Sequence, residues 1–338
     1  MLRATSRMPT SYQPAFRKLP VLHPVKQRIE RFRHQRRVQA GSLIISLFGD
    51  VVLPRGGRIW LGSLIKLLEP LELNERLVRT TVFRLAKDEW LRTESHGRKA
   101  DYVLTEAGRR RFEEASRQIY ASQAPLWDRR WRLVFLVGDL EPKFRDQIRR
   151  ALFWQGFGAL GAECFVHPSA DLTTTLDALV AEGLGEHLKA LMPLLAADSR
   201  VGVSASNAEL VARAWCLEEL AIAYENFVET YLPILGELRA DGNDVDEGDA
   251  FLLRLLLIHD YRRLLLRDPE LPDVLLPVDW PGQRARLLCK DIYRRLLGPS
   301  EAHLDQQLQL ASGETPLADD SLRLRFPDDD PLRDIAVN

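Results

Sequence analysis

The run Asn74-Glu75-Arg76-Leu77-Val78-Arg79-Thr80-Thr81-Val82-Phe83-Arg84-Leu85-Ala86-Lys87 has the period of an amphipathic helix. Advancing by the helical angle from Val78 puts Val82 about 40° to one side and Leu85 about 20° to the other, a stripe that buries. Arg76, Thr80, Phe83 and Lys87 fall near the opposite pole, with Arg79 and Arg84 flanking them. Asn74 is a good N-cap because its side-chain oxygen can accept a backbone N–H of the first turn. Glu75 suits the positive end of the helix dipole. The spacing predicts a helix from Glu75 to about Trp90.

Upstream, Ser42 to Phe48 reads as a first helix, stopped by Gly49. After the turn Pro54-Arg55-Gly56-Gly57 a second helix runs from Ser63 to Leu68 and ends before Pro70. Downstream, strands at Leu91 to Glu94 and Ala100 to Leu104 enclose Ser95-His96-Gly97-Arg98-Lys99, a basic hairpin tip with a glycine. Thr105 caps a further helix to about Tyr120. Three short helices and a hairpin in about 65 residues make a winged helix-turn-helix. A basic helix face beside a basic hairpin tip is what a major-groove reader needs. Arginine forks match guanine O6 and N7, and lysine and threonine hold phosphates. The candidate DNA contacts are therefore Arg76, Arg79, Thr80, Phe83, Arg84 and Lys87 on the helix, with Arg98 and Lys99 at the tip. A merely solvated helix face carries the same residue types, so the order of elements is what favours DNA. Phe83 either meets a thymine methyl or the hairpin, or fills a gap against a neighbouring helix; the packing role is favoured.

At 338 residues the chain exceeds the size of a single core, and two or three domains are expected. Hydrophobic residues at 46% against 28% charged exclude wholesale disorder. The most apolar stretch, Phe251 to Ile258, is interrupted by Arg254, short of the roughly 18 residues of a membrane span. The first forty residues hold no apolar signal-peptide core. Cys164, Cys216 and Cys289 are too far apart for a CxxC site or a disulfide framework, which points to the cytoplasm. Charge is unevenly spread. Residues 1–40 hold ten Lys/Arg against one acid, residues 41–121 fourteen against eleven, and the overall −1 leaves the remainder at −13. A basic front and an acidic rear predict a polyanion partner at the front.

Residues 1–40, with Pro9, Pro14, Pro20 and Pro24 and then Arg28 to Arg37, read as a basic, disordered tail. From Trp127 the pattern changes. A strand from Trp131 to Val137, a helix from Pro142 to Trp154, a strand near Ala162 to Val166, a helix from Leu172 to Glu182 and a weak strand from His187 to Leu194 suit a ferredoxin-like α+β sandwich. The rear is helical: Asn207 to Leu238 with a break near Pro233, Ala250 to Arg267 after the acidic loop Asp241 to Asp249, and Arg284 to Leu297. After Pro299 the chain is polar and is expected to be mobile. The domains expected are 1–40 tail, 41–121 DNA-binding, 122–200 sandwich, 201–300 helical and 301–338 polar tail.

Motifs for catalysis are missing. There is no GxxxxGK[ST], GxSxG or HExxH, and no histidine pair has metal-ligand spacing. Gly156, Gly158 and Gly161 spell GxGxxG, but a helix precedes them and a strand follows, the reverse of a dinucleotide turn. Asp139, at the end of the first sandwich strand, is the sole catalytic suspect, as a Mg²⁺ ligand for phosphodiester hydrolysis; neither a second carboxylate nor a clear base accompanies it, so a strand-end turn residue is the favoured reading. His259, Arg262 and Arg263 share a helix face and either clamp an anion or pair with the rear's surplus carboxylates. Phe153 to Gly158 offers aromatic surface, with Trp154 and Phe157, or simply packs a core.

Several strings resemble the PaaX-type transcriptional repressors of phenylacetic acid degradation. They are Gly49-Asp50, Arg55-Gly56-Gly57-Arg58-Ile59-Trp60-Leu61-Gly62-Ser63-Leu64, Glu75 to Thr80 with Phe83-Arg84-Leu85, Trp154 to Leu160, and Leu255 to His259 with Tyr261-Arg262-Arg263. Asp268-Pro269, Leu271-Pro272, Leu275-Leu276-Pro277 and Trp280 follow in order, so the resemblance runs from about Ser42 to Leu297. It implies a winged helix-turn-helix, a Cas2-like ferredoxin-fold middle and a helical C-terminal domain, in a non-enzymatic repressor without metal or cofactor. It also implies an acyl-CoA effector, phenylacetyl-CoA, that releases the protein from double-stranded operator DNA. The sequence Val137-Gly138-Asp139-Leu140 lacks the Tyr-Asp pair of the Cas2 nuclease, so no nuclease activity is implied. On this reading Arg262 and Arg263, with His259, hold the phosphates of the ligand, and Trp154 with Phe157 its acyl group. A homodimer is expected because two modules one or more helical turns apart, about 34 Å per turn, read a pseudo-palindrome. The middle domain is the expected two-fold surface, assisted by Asn207 to Leu238.

Overall fold

The computed structural model of the chain describes residues 23–35, 40–197, 205–240 and 245–327. Its front carries α1 (Pro24–Arg33), α2 (Ala40–Leu47), β1 (Arg58–Trp60), α3 (Leu61–Leu68), α4 (Glu75–Lys87), β2 (Leu91–His96), β3 (Lys99–Leu104) and α5 (Glu106–Ile119). The middle holds β4 (Arg130–Leu136), α6 (Pro142–Trp154), β5 (Gly158–Ala159), β6 (Cys164–His167), α7 (Leu172–Ala181) and β7 (Leu191–Ala197). Four helices make the rear: α8 (Asn207–Ala214), α9 (Glu218–Arg239), α10 (Glu247–Leu265) and α11 (Pro281–Gln307). Among the described residues no helix is long and apolar enough to cross a membrane.

In the front, α2, α3 and α4 pack beside an antiparallel sheet of order β1-β3-β2. The caps are those the sequence predicts: Asn74 Oδ1 accepts from Leu77 N at 2.9 Å, and Thr105 Oγ1 from Gly108 N at 2.9 Å. Two details differ. β1 is too short to show a period, and Ile59 finds its place only by pairing with Tyr102. Gly49 does not stop the first helix, which continues as a π turn through Val52. A Cβ at Gly49 would stand 3.0 Å from the Phe112 ring, so glycine serves close helix packing there.

The middle sheet has order β5-β6-β4-β7 with every pairing antiparallel. α6 and α7 cover one face and bury Val134, Ile148, Leu152, Phe165 and Leu179. The other face, Trp131 and Val166, packs on Val211 and Trp215. The last strand starts later than predicted, at Leu191, because residues 185–190 wind as a 3-10 turn that brings Leu188 to the sandwich core.

α10 is the pillar of the molecule. Residues 250–259 are all buried, and α1, α2, α5, α9 and α11 pack around it. This corrects the expected tails. Residues 24–33 form a helix that buries Val25, Ile29 and Phe32, with Arg28 paired to Asp260 at 2.5 Å. The other prolines of that tail, with Arg36 and Arg37, lie outside the described residues. At the opposite end α11 runs through Pro299 to Gln307, and Leu308, Leu310, Ala311, Leu322 and Phe326 are buried beyond it. Pro233 likewise sits inside α9, and the long helical stretch breaks instead at Trp215 to Leu217. Both prolines free a carbonyl four residues earlier, at Glu229 and Arg295, on exposed turns where water can satisfy it. Asp241 to Asp244 of the acidic loop and Asp328 to Asp330 lie outside the described residues.

Candidate nucleic-acid interface

α4 turns Val78, Thr81, Val82 and Leu85 inward. That leaves Arg76, Arg79, Thr80, Arg84 and Lys87 exposed on its outer face. Arg79 is held by Glu75 one turn back, 2.6 Å between Nη2 and Oε1, and Thr80 Oγ1 donates to the Arg76 carbonyl at 2.8 Å. Arg76, Arg84, Lys87 and Arg98 have no carboxylate partner among the described residues. The favoured packing role for Phe83 is wrong: its side chain is 70% exposed in the middle of this basic face. At the hairpin the turn is two residues, Gly97 and Arg98, with Gly97 at φ +60°. Arg98 is exposed, while the Lys99 ammonium sits 4.4 Å from the Trp60 ring centroid. A cation held on a ring beside the hairpin tip is positioned without being neutralised.

A buried frame fixes this surface to the rear of the molecule. Asp50, 1% exposed, accepts from Tyr120 Oη at 2.6 Å, Tyr293 Oη at 3.0 Å and Arg325 Nη1 at 2.9 Å. Arg254 Nε lies 2.9 Å from Asp50 Oδ2, close enough for an ion pair though not aligned for a hydrogen bond. Burial alone would raise the Asp50 pKa; the guanidinium of Arg254 and then that of Arg325 hold it below the ordinary carboxylate range. Asp101 on β3 accepts from Ala311 N at 2.6 Å, and Ser63 exchanges hydrogen bonds with the backbone of Gln307 and Gln309. The segment after α11 thus straps β3 and the start of α3. Sequence reading passed over these residues as sites, and the one available signal was a lone aspartate inside an apolar run.

Three family models match along the chain: PaaX-like protein at residues 39–108, the PaaX protein central Cas2-like domain at 124–199, and the PaaX-like protein C-terminal domain at 215–306. The Transcriptional repressor PaaX of Escherichia coli (strain K12) is 37% identical over 282 residues, 82% of this chain and 87% of that protein. This chain belongs to the PaaX family. It is a regulator of the transcriptional-repressor type, not an enzyme, and its α+β middle is the family's Cas2-like domain. Among solved structures, the uncharacterized protein Rv0674 from Mycobacterium tuberculosis covers 71% of this chain and 89% of its own, with 22% identity and a TM-score of 0.45.

Within this PaaX-family chain the residues expected to hold an effector are dispersed. His259 is 4% exposed, with Nδ1 3.3 Å from Ser46 Oγ. Burial pulls its pKa down to about 4. Arg262 donates to Ser42 Oγ at 2.7 Å, the Ser42 carbonyl at 3.1 Å and Ser46 Oγ at 3.1 Å. The first two members of the cluster therefore brace α10 against α2 and do not form an open phosphate clamp; only Arg263 is exposed. Phe157, 2% exposed, belongs to the sandwich core, whereas Trp154 is 83% exposed. Both border a cleft of about 420 Å³ between the middle and rear, together with Trp215, Leu266 and Arg267. Trp215 was missed because nothing local marks it, whereas Arg267 stands one turn beyond the cationic cluster that the sequence shows. Of the GxGxxG glycines, Gly158 is a packing position, where a Cβ would stand 2.7 Å from the Trp215 ring, and Gly156 and Gly161 turn the backbone at φ +81° and +80°. Asp139 is an exposed residue beyond β4, and no group of three His, Cys, Asp or Glu able to hold a metal occurs among the described residues.

Proposed function

We propose that the front of this chain, within residues 41–121, is a winged helix-turn-helix, with α4 as the reading helix and the β2–β3 hairpin as the wing. On this reading the protein is a cytoplasmic homodimer that represses an aromatic, phenylacetate-type catabolic operon. An aryl-acyl-CoA such as phenylacetyl-CoA releases it from the operator. The observation that carries the proposal is the run of uncompensated cations on the exposed face of α4, continued by Arg98 at the hairpin tip. Phosphates draw such a face in, and arginine forks discriminate guanine edges. Arg76, Arg79, Thr80, Phe83, Arg84, Lys87, Arg98 and Lys99 make the DNA contacts. The exposed Phe83 suits a thymine methyl. Two copies read the two halves of a pseudo-palindrome, and ligand favours the arrangement whose reading helices no longer match the half-site spacing.

A gel shift on the DNA upstream of the protein's own gene, with and without a panel of acyl-CoAs, tests this. A retarded band that phenylacetyl-CoA abolishes and CoA alone does not is the expected result. A band unaffected by every acyl-CoA would remove the effector while leaving the DNA reading intact.

A further inference from the structure

A second cavity, of about 310 Å³, lies where α2, α5 and α10 converge. Most of its wall is apolar: Ile45, Phe112, Ala115, Ile119, Ile258 and Leu266. One wall is Arg262, whose Nε and Nη2 are spent on the hydroxyls of Ser42 and Ser46 and the Ser42 carbonyl, all neutral. Among the described residues no carboxylate pairs with it, and its charged neighbour on the helix is another cation, Arg263. A largely buried guanidinium without a counter-charge, at the side of an apolar cavity, favours an entering oxygen that carries negative charge or a strong dipole. Size fits as well. An apolar cavity of roughly 150 Å³ accepts benzene, so about twice that space takes an aromatic ring and a short chain.

We propose that this cavity takes the arylacyl group of the effector, with the ring among Ile45, Phe112 and Ile258 and the carbonyl or carboxylate oxygen accepting from Arg262. The assignment rests on the reading of the chain as a ligand-released regulator, and it deepens that reading by moving the acyl site away from Phe157. Leu266 lines both this cavity and the cleft that holds Trp154, Trp215 and Arg267. A longer ligand anchored by its ring can therefore leave past Leu266 towards Arg267. The cavity also reaches the DNA-reading face. Its wall includes Trp90, which follows α4 and starts the hairpin, stacks edge-on against Phe112 at 5.4 Å and lies 5.0 Å from the Arg111 guanidinium. Occupancy presses Phe112 and Trp90 away from α10 and turns the hairpin root.

The ring and oxygen can come from a free arylacetate or from its CoA thioester. Calorimetry of the full chain with phenylacetate, phenylacetyl-CoA and CoA alone distinguishes the two sources. Ala115→Trp fills the cavity and Arg262→Gln removes the charge. At least a tenfold loss of preference for phenylacetyl-CoA over CoA is expected in each, with thermal melts reporting whether each variant folds. If Ala115→Trp fails to fold, Arg262→Gln alone decides. Folded variants that keep the wild-type preference overturn the cavity assignment and leave the regulator reading standing. A wild-type protein that binds none of the three probes overturns both.

Discussion

Arg84 and Arg76 stand free of carboxylates on the outer face of α4, whereas Arg79 spends its guanidinium on Glu75. An exposed pair at this spacing contributes about 0.3–0.5 kcal/mol, less than a bidentate base contact supplies, so Arg79 can exchange partners on the operator. Arg84→Ala is expected to weaken operator binding by about 1–3 kcal/mol, with a smaller loss on random duplex. Lys99→Ala should weaken all sequences alike and flatten the salt slope by about 0.9, the increment for one phosphate no longer neutralised. Fluorescence titrations at several salt concentrations measure both. A different residue-scale effect follows from His167 and His259, both pulled down to about 4, chiefly by burial. In the unfolded chain they take up protons near the ordinary value of 6.5, while the folded chain resists until about 4. The unfolded state therefore binds more protons in that window, and stability falls as pH drops from 6.5 towards 4. Thermal melts across that range should show the decline, and it should be shallower in His259→Gln.

At the scale of elements, α1 is the clearest departure from what composition suggests. Its sequence is strongly basic, yet Val25, Ile29 and Phe32 lie on one face and are buried, and Arg28 reaches Asp260 and Tyr231. Phe32→Ala is expected to cost about 3–5 kcal/mol, the usual range for a buried phenylalanine. A denaturant titration with an unchanged slope and a lower midpoint is the expected signature; an unchanged midpoint would mean that α1 contributes nothing in solution. α4 shows the opposite case. Its cap, its buried stripe and its basic face are all consequences of spacing within fourteen consecutive residues, and each was legible in advance. β1 and the two-residue β5 were not, because strands that short acquire their pairing only from β3 and β6.

Considered whole, the molecule has one large core that runs from α1 through α5 and on through α9 to Phe326, a separate core inside the Cas2-like sandwich, and a smaller cluster around Trp131 and Trp215 where the sandwich meets the rear. Calorimetry is therefore expected to resolve two unfolding transitions. Leu152→Ala should lower the sandwich transition and Leu256→Ala the other, each by about 2–5 kcal/mol. If both substitutions shift a single common transition, the cores unfold as one unit. The frame around Asp50 gives the larger core its polar anchor. Asp50→Ala leaves Arg325 buried without its carboxylate and Arg254 with Glu301 alone, a loss of about 3–5 kcal/mol for a broken buried pair.

The sequence by itself determined the order of the longer elements from α2 to α11, the caps of α4 and α5, the cation-bearing face and the family strings. All of these depend on residues a few positions apart, where helical geometry alone decides which side chains share a face. Only the tertiary structure decided that His259 and Arg262 brace α2, that Phe157 is buried while Trp154 stays exposed beside the same cleft, and that the terminal segments fold back onto the core. Arg262 meets Ser42 across 220 residues of chain, and Arg325 meets Asp50 across 275. Partners so distant leave no periodic trace in a sequence, because they are chosen by which surfaces the packed helices bring together around α10.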